Sequence, residues 1–360
     1  MAMNRKERRA AAKQDRAGGK GAAQISEAIA LAQEGNLAKA ELVLDGVRKN
    51  DPSHPEVNHQ LGMIYVRTGR TEAGLELLRR AVEARPEESL YWNNLAAASL
   101  SIERSQEAVD AAQKALALDP ANFMAWQNLA LGRRDLGLHA EAVEAFDRAA
   151  ALGSLDAGSL ATWGECLGAL RRFAEAETVV RRAMSAATDD PGILTLLGWL
   201  LSEQGKNGEA LETFRKSLDL RPEQFLAAFN YAILSLREDN VEAALRWLRR
   251  ATSIDPKAAA AWKVLAIELA RQGLNDEALP VAERALRLTP DDTEIQSLVR
   301  KLKGGGDEDS VPFTVDFGEA MPGAVTVEPK VERPKTPSEP KTPQGSGVFD
   351  LSVLKIGNDD

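Results

Sequence analysis

The stretch NHQLGMIYVRTGRTEAGLELLRRAVEARP, residues 58–86, decides how the chain folds. Two apolar patterns of helical period lie on either side of Gly69, and Pro86 closes the second pattern. Glycine commonly caps a helix in the left-handed conformation, and proline cannot continue a helix. The stretch therefore predicts one unit of helix, turn and helix.

The same unit recurs every 34 residues. Small residues stand at this interval in unbroken register, and they let one helix face approach its neighbour closely. The series is Ala40, Gly74, Ala108, Ala142, Ala176, Ala210, Ala244 and Ala278. Turn glycines recur in the same register at Gly35, Gly69, Gly137, Gly205 and Gly273. We expect eight units, at 21–54, 55–88, 89–122, 123–156, 157–190, 191–224, 225–258 and 259–292.

Composition favours helices throughout. Aromatic residues make up only 5% of the 360 residues, while Ala, Leu, Glu and Arg dominate. Because these four residues are good helix formers, the sequence predicts an all-α fold. The net charge is −9, and an acidic body is a poor match for a nucleic-acid backbone.

Cysteine usage and hydropathy indicate a cytoplasmic protein. Cys166 is the only cysteine, so no intramolecular disulfide can form, and we expect it to be a small core thiol. No apolar run approaches the roughly 20 residues that a membrane span requires. The basic N-terminus has no apolar stretch of the kind found in signal peptides.

The repeats resemble the tetratricopeptide repeat family, most fully at 58–86 and 125–146. The positions that the family fills with Trp, Leu, Gly and aromatic residues are occupied by Trp92, Trp126, Trp262, Leu61, Leu95, Leu129, Leu197, Leu265, Gly62, Gly164, Gly198, Tyr65, Phe146 and Phe214. The resemblance implies an all-α, right-handed α-solenoid superhelix of helix-turn-helix repeats. Ser154 and Thr188 replace the expected proline in the fourth and fifth units, so we expect an altered joint around 151–159.

The two ends differ from the repeats. An apolar stripe of period i, i+3, i+4, i+7 predicts a capping helix at 293–303. Residues 1–20 are basic, and residues 304–360 are acidic and rich in proline, so we expect both to be disordered. Apolar residues return at 348–357, where Phe349, Leu351 and Leu354 form a candidate docking motif for this protein's own groove or a partner.

The resemblance implies that the second, fifth, sixth and ninth positions of each first helix face the inner surface of the solenoid. In related arrays, asparagines at the sixth position hold the backbone of a bound peptide, and a carboxamide suits that task because it both donates and accepts. We therefore predict a peptide-binding amide series. Its members are Gln60, Asn94, Asn128 and Asn230 at the sixth position, with Asn93 at the fifth. The alternative is that asparagine stands here for local reasons, and Thr162 and Leu196 interrupt the series.

Apolar residues accompany the amides on the predicted inner surface. Trp199, Phe229 and Ile233 could form an aromatic pocket for a partner side chain. Met63, Leu131 and Lys263 complete the predicted peptide-binding set. Packing between neighbouring first helices explains the apolar residues equally well. Lys263 is the only lysine at a fifth position, so the carboxylate clamp of chaperone-binding members is not predicted.

No catalytic chemistry is predicted. His54, His59 and His139 lack the spacing of a metal motif, and the chain has no phosphate-binding loop or serine-hydrolase motif. We expect no metal, no cofactor and no enzyme activity.

The sequence therefore predicts a bacterial, cytoplasmic, non-enzymatic adaptor that binds an extended peptide or a partner helix in its concave groove. Two alternatives stay open. One is a regulatory or substrate-recruiting subunit of a separate enzyme, such as a glycosyltransferase. The other is a protein that associates with nucleic acid or a membrane surface through the basic residues 1–20.

Overall fold

A computed structural model describes residues 21–187 and 189–304. Over these ranges the chain is an all-α helical repeat solenoid with seventeen helices, and no strand occurs among them. The described residues fall into two compact units, unit 1 (21–155) and unit 2 (156–304). The boundary lies inside 151–159, the joint where the sequence lacks the expected proline.

Unit 1 contains four helix pairs. Its helices are α1 (21–33), α2 (Leu37–Arg48), α3 (Pro55–Arg67), α4 (Thr71–Ala84), α5 (Ser89–Leu100), α6 (Ser105–Leu118), α7 (Phe123–Asp135) and α8 (His139–Leu152). Within unit 1, the helices α3, α5 and α7 each pack against the second helix of their own pair, and α4 and α6 each pack against the next first helix.

Unit 2 contains four further pairs and a final single helix. Its helices are α9 (Ala157–Ala169), α10 (Phe173–Ala186), α11 (Pro191–Glu203), α12 (Asn207–Leu220), α13 (Phe225–Arg237), α14 (Val241–Ile254), α15 (Ala259–Arg271), α16 (Asn275–Leu288) and α17 (Thr293–Leu302). Ile295 and Leu298 of α17 are buried against α15 and α16, so α17 covers the end of unit 2. Within the described ranges, no helix has the length and apolar content that crossing a membrane requires.

The small residues of the 34-residue series lie where the two helices of each pair meet. All seven alanines of the series have no exposed surface, and Gly74 is buried. The α3–α4 pair is the closest case, because Gly62 and Gly74 face each other. A Cβ built on Gly74 would lie 2.7 Å from the Gly62 carbonyl oxygen and 2.9 Å from Cγ2 of Val66.

The turn between the helices of each pair uses the left-handed conformation. The five glycines of the series have φ between 73° and 82°. Three non-glycine residues adopt the same conformation at the remaining turns, Glu103, Arg171 and Asp239, with φ of 62°, 58° and 55°. An L-residue in this region costs about 1 kcal/mol or more, so the common turn geometry outweighs that local cost.

Two contacts that recur in the register join successive repeats. The indole Nε1 of Trp92 donates to the Pro86 carbonyl at 2.8 Å, and Trp126 and Trp262 make the same bond to the proline six residues before them. On the second helices, arginines pair with a glutamate 28 residues later. These ion pairs are Arg79–Glu107, Arg181–Glu209 and Arg249–Glu277. Since they are partly exposed, each contributes at most about 1 kcal/mol.

The close approach of α3 and α4 gives opposite predictions for two glycine substitutions. Alanine occupies the Gly74 position in the other seven pairs, so sequence alone favours Gly74→Ala. The structure predicts that Gly74→Ala lowers the free energy of unfolding by about 1–3 kcal/mol, because the new methyl group has no room. Urea denaturation of the full chain, followed by circular dichroism, measures the change.

Gly46→Ala is the matched control. Gly46 lies in α2, and no atom lies within 4 Å of the position that a Cβ would take there. Alanine should therefore raise the free energy of unfolding by about 0.5–1 kcal/mol. If both substitutions stabilise the protein, the close contact between α3 and α4 is wrong.

Candidate functional site

Asn93 and Asn94 are neighbours in α5, and their side chains hydrogen-bond toward the first helices on either side. The Nδ2 of Asn94 lies 3.0 Å from Nε2 of His59 in α3, and this ring nitrogen must accept because an amide nitrogen only donates. The Nδ2 of Asn93 donates to Oδ1 of Asn94 at 3.2 Å, and the Nδ2 of Asn128 in α7 donates to Oδ1 of Asn93 at 3.0 Å. These four residues form the amide chain, which joins three first helices of unit 1.

The amide chain corrects one expectation from sequence. Asn93, Asn94 and Asn128 were expected to face an open channel, but their side chains have no exposed surface. Their amide groups instead satisfy one another inside unit 1. Peptide contact by these residues stays a prediction, and it requires the amide chain to open.

A carboxylate and a phenol lie beside the amide chain. Gln60 Nε2 donates to Oε1 of Glu56 at 2.8 Å, and the Tyr91 hydroxyl donates to Oε2 at 2.7 Å. Burial alone would raise the pKa of the Glu56 carboxyl, but these hydrogen bonds and the nearby Arg85 outweigh burial and lower it. Burial and the bond to Glu56 raise the pKa of Tyr91, whose ring stacks on His59. Gln60, which was predicted as a site residue, therefore helps to hold the Glu56 carboxylate in place.

The other predicted residues of unit 1 are also buried. Met63 is 8% exposed and Leu131 is 4% exposed, so both belong to the core. Packing between neighbouring first helices, rather than contact with a partner, accounts for these two residues as the structure places them.

The predicted aromatic pocket of unit 2 is not formed as expected. Phe229 is 1% exposed and stacks on Phe225, and Ile233 has no exposed surface, so both lie in the core. Trp199 alone of the three lines a cavity, and its ring edge lies against Gly168. The expectation failed because two of these side chains are buried in the core rather than exposed on an inner surface.

Lys263 has a structural role. Its ammonium group lies 2.8 Å from carboxylate oxygens of both Asp292 and Glu294, which raises its pKa although burial opposes the rise. These ion pairs connect α15 to the start of α17. Phe349, Leu351 and Leu354, and the basic segment 1–20, lie outside the described residues.

A cavity of about 390 Å³ lies within unit 2, between the first helices α9, α11 and α13. Its walls are mainly apolar. The lining residues are Ala157, Gly158, Ala161, Glu165, Ala187, Asp190, Gly192, Ile193, Thr195, Leu196, Trp199, Gln224, Leu226 and Asn230. Leu226 is 38% exposed, so it presents apolar surface at the cavity.

Two polar atoms at this cavity have no hydrogen-bond partner within the described residues. They are Oδ1 of Asn230, whose side chain is 1% exposed, and Nε2 of Gln224. The Oε1 of Gln224 accepts from Thr195 at 2.7 Å, which fixes the orientation of that amide. Two residues of the cavity lining therefore each carry one buried, unpaired polar atom, an acceptor on Asn230 and a donor on Gln224.

The Oδ1 of Asn230 lacks a partner because Phe229, the residue before it, has no side-chain donor, whereas in unit 1 the Oδ1 of Asn94 accepts from Asn93 before it. The Nδ2 groups of Asn94 and Asn128 bond to the residues 35 positions earlier, His59 and Asn93. The corresponding residue for Asn230 is Thr195, whose hydroxyl bonds to Gln224 instead. Of the residues that line this cavity, the sequence interpretation included Asn230 but not Gln224 or Leu226. The sequence did contain a signal for Gln224. It stands at the repeat position where Asn122, Asp156 and Asp190 cap the following helix, but its side chain makes no capping hydrogen bond.

Among the described residues, no group of three or more His, Cys, Asp or Glu side chains could hold a metal ion. Cys166 is buried. The architecture thus defines the class of protein, a helical repeat solenoid of stacked helix pairs.

The particular family follows from sequence comparison. A tetratricopeptide repeat profile matches residues 59–123 and 195–259, and a second one matches 259–299. The chain is a tetratricopeptide repeat protein, and membership supports a role as a protein–protein interaction scaffold in general. No curated protein sequence matches the chain significantly.

Solved structures share the fold. A chain of the APC/C hetero-tetramer Cut9–Hcn1 is 18% identical with a TM-score of 0.53, and the match covers 74% of this chain and 52% of that one. YrrB, described as a TPR protein with an unusual peptide-binding site, is 24% identical over 52% of this chain and 96% of that chain, with a TM-score of 0.46. MamA is 20% identical over 45% of this chain and 94% of that chain, with a TM-score of 0.41.

The amide chain predicts energetic coupling between Asn93 and Asn128. Removing either amide leaves the other unsatisfied, so the double variant Asn93→Ala/Asn128→Ala should lose about 1 kcal/mol less than the sum of the single losses. The free energies of unfolding measure this coupling. The control cycle pairs Asn93→Ala with Asn230→Ala in the other unit and should be additive. Additivity in both cycles would contradict the amide chain.

Proposed function

We propose that the chain is a non-enzymatic adaptor that holds an extended segment of a partner protein in the cavity of unit 2. The observation that carries this proposal is the pair of unsatisfied polar atoms on Asn230 and Gln224. Leaving a buried polar atom unpaired costs about 1–3 kcal/mol. A ligand that pairs with both atoms, once a side-chain rotation turns them toward the cavity, recovers this cost, which favours binding at this position.

The chemistry of the cavity fits a peptide group next to an apolar side chain. A backbone N–H can donate to Oδ1 of Asn230, and a backbone carbonyl can accept from Nε2 of Gln224. Leu226 and Trp199 supply the apolar wall for a neighbouring side chain. A volume of about 390 Å³ lies within the range of about 300–1,000 Å³ typical of ligand pockets.

The charge of the residues that line the cavity limits which segments could bind there. Glu165 and Asp190 are the charged residues among those that line the cavity, and both are acidic. An acidic peptide would be repelled, so a neutral or basic apolar segment fits best. The docking motif at 348–357 has this character at Leu354 and Lys355, which makes it a candidate occupant besides a partner protein.

Substitutions in the lining test the proposal. Peptides selected from a random library on the full chain are measured by fluorescence anisotropy against each variant. Leu226→Ala and Asn230→Leu should each weaken binding about 5–10-fold, since each removes about 1–1.4 kcal/mol of contact. Leucine suits position 230 because Leu196 occupies the equivalent position one repeat earlier.

Leu220→Ala is the matched control. Leu220 is 49% exposed in the same unit and does not line the cavity, so its loss should leave affinity within about twofold. Equal affinities for all variants would show that the cavity is not the binding site. Deleting residues 344–360 distinguishes the two candidate occupants of the cavity. A higher affinity for the peptide would indicate that the tail motif occupies the cavity in the full chain. An unchanged affinity would indicate that the occupant is a partner protein.

A further inference from the structure

The outer face of α14 carries a second, chemically different surface. Arg246, Arg249 and Arg250 are exposed on this helix, and Trp247 lies among them, half-buried against Tyr231 with ring centroids 5.4 Å apart. We call these four residues on α14 the arginine–tryptophan patch. Its lining and that of the unit 2 cavity share no residue.

The patch has a net positive charge, since three arginines stand beside one carboxylate of the same surface, Glu242. Arg249 pairs with Glu277 of α16 at 2.8 Å, but Arg246 and Arg250 have no ion-pair or hydrogen-bond partner among the described residues. Repeat register does not explain the cluster. On α10, the residues 68 positions earlier include the arginine pair Arg181–Arg182 but have Thr178 and Val179 in place of Arg246 and Trp247.

The chain contains a segment of opposite character. Residues 305–329 include six acidic residues and no basic one. The acidic residues are Asp307, Glu308, Asp309, Asp316, Glu319 and Glu328. Phe313 and Phe317 lie among them, so the segment combines carboxylates with aromatic rings. Carboxylates bind guanidinium groups, and rings of phenylalanine pack against tryptophan.

This segment follows a helix, α17, that contacts the same helix, α16, as the patch does. Lys303, at the end of α17, pairs with Glu283 of α16 at 2.8 Å, and Arg249 pairs with Glu277 of the same helix. Glu277 and Glu283 are six residues apart, which is about 9 Å along a helix. Because an extended chain spans about 3.3–3.6 Å per residue, about ten residues are enough to cross the patch.

We propose that the acidic segment 305–320 docks on the arginine–tryptophan patch of its own chain. Its carboxylates pair with Arg246 and Arg250, and Phe313 or Phe317 packs on Trp247. The outer face of unit 2 is thus an interaction surface for an acidic, aromatic segment, independent of peptide binding in the cavity.

Limited proteolysis of the full chain with chymotrypsin tests the proposal. Docking protects the bonds after Phe313 and Phe317, and cleavage after Phe349 in the same chain serves as an internal reference. At low salt, the variant Arg246→Glu/Arg250→Glu should be cleaved after Phe313 and Phe317 about fivefold faster than the wild type, relative to Phe349. About 0.5 M NaCl should remove most of this difference, because salt screens exposed charges.

The control variant is Arg182→Glu/Arg215→Glu, which changes two exposed arginines of other second helices by the same charge. It should be cleaved like the wild type. Asp307→Asn/Glu308→Gln/Asp309→Asn removes the segment's own carboxylates and should accelerate cleavage without any change in the folded body. Equal cleavage in the wild type and both patch and segment variants overturns the proposal. Protection that grows with protein concentration also overturns it, since a second copy would then supply the segment.

Discussion

Close packing through small side chains at a fixed 34-residue interval is the constraint on which the structure depends. Seven alanines and one glycine of this series are buried between paired helices. A helix pair of constant length places every later residue in a repeating environment, so contacts between repeats also acquire fixed intervals. Amide pairs join residues 35 apart, and ion pairs between second helices join residues 28 apart. The register therefore determines which side chains can meet.

The same register produces different chemistry in the two units. In unit 1 the amides of Asn93, Asn94 and Asn128 have partners at the required interval and satisfy one another. In unit 2 Asn230 has Thr195 at that interval, and the threonine bonds to Gln224 instead. Phe229, the residue before Asn230, has no side-chain donor, so the buried Oδ1 of Asn230 remains unpaired next to an apolar cavity. One repeat pattern yields a closed, structural amide chain in one unit and a candidate peptide site in the other.

The fold could be predicted from sequence because its signals are periodic and local. Small residues, turn glycines and closing prolines each mark one feature of the helix pair, and the structure shows the pairs they predict. The site was harder, because exposure depends on neighbours that are distant in sequence. The equivalents of Asn94 in other repeats lie 34 positions away, whereas its partner His59 lies 35 positions away, so comparing equivalent positions does not find the pairing. Phe229 and Ile233 were misplaced because an apolar residue near the inner face can also turn into the core.

The central claim is that the residue 35 positions earlier decides whether the Nδ2 of an inner asparagine is paired, and Thr195→Asn tests it most directly. The free energies of unfolding of Thr195→Asn, Asn230→Ala and the double variant form a double-mutant cycle, in which the cost of losing the Thr195–Gln224 bond cancels. Our account predicts that removing the Asn230 amide costs about 1 kcal/mol more in the Thr195→Asn background than in the wild type, because an amide pair like that of Asn93 and Asn128 has formed. An equal cost in both backgrounds would contradict it.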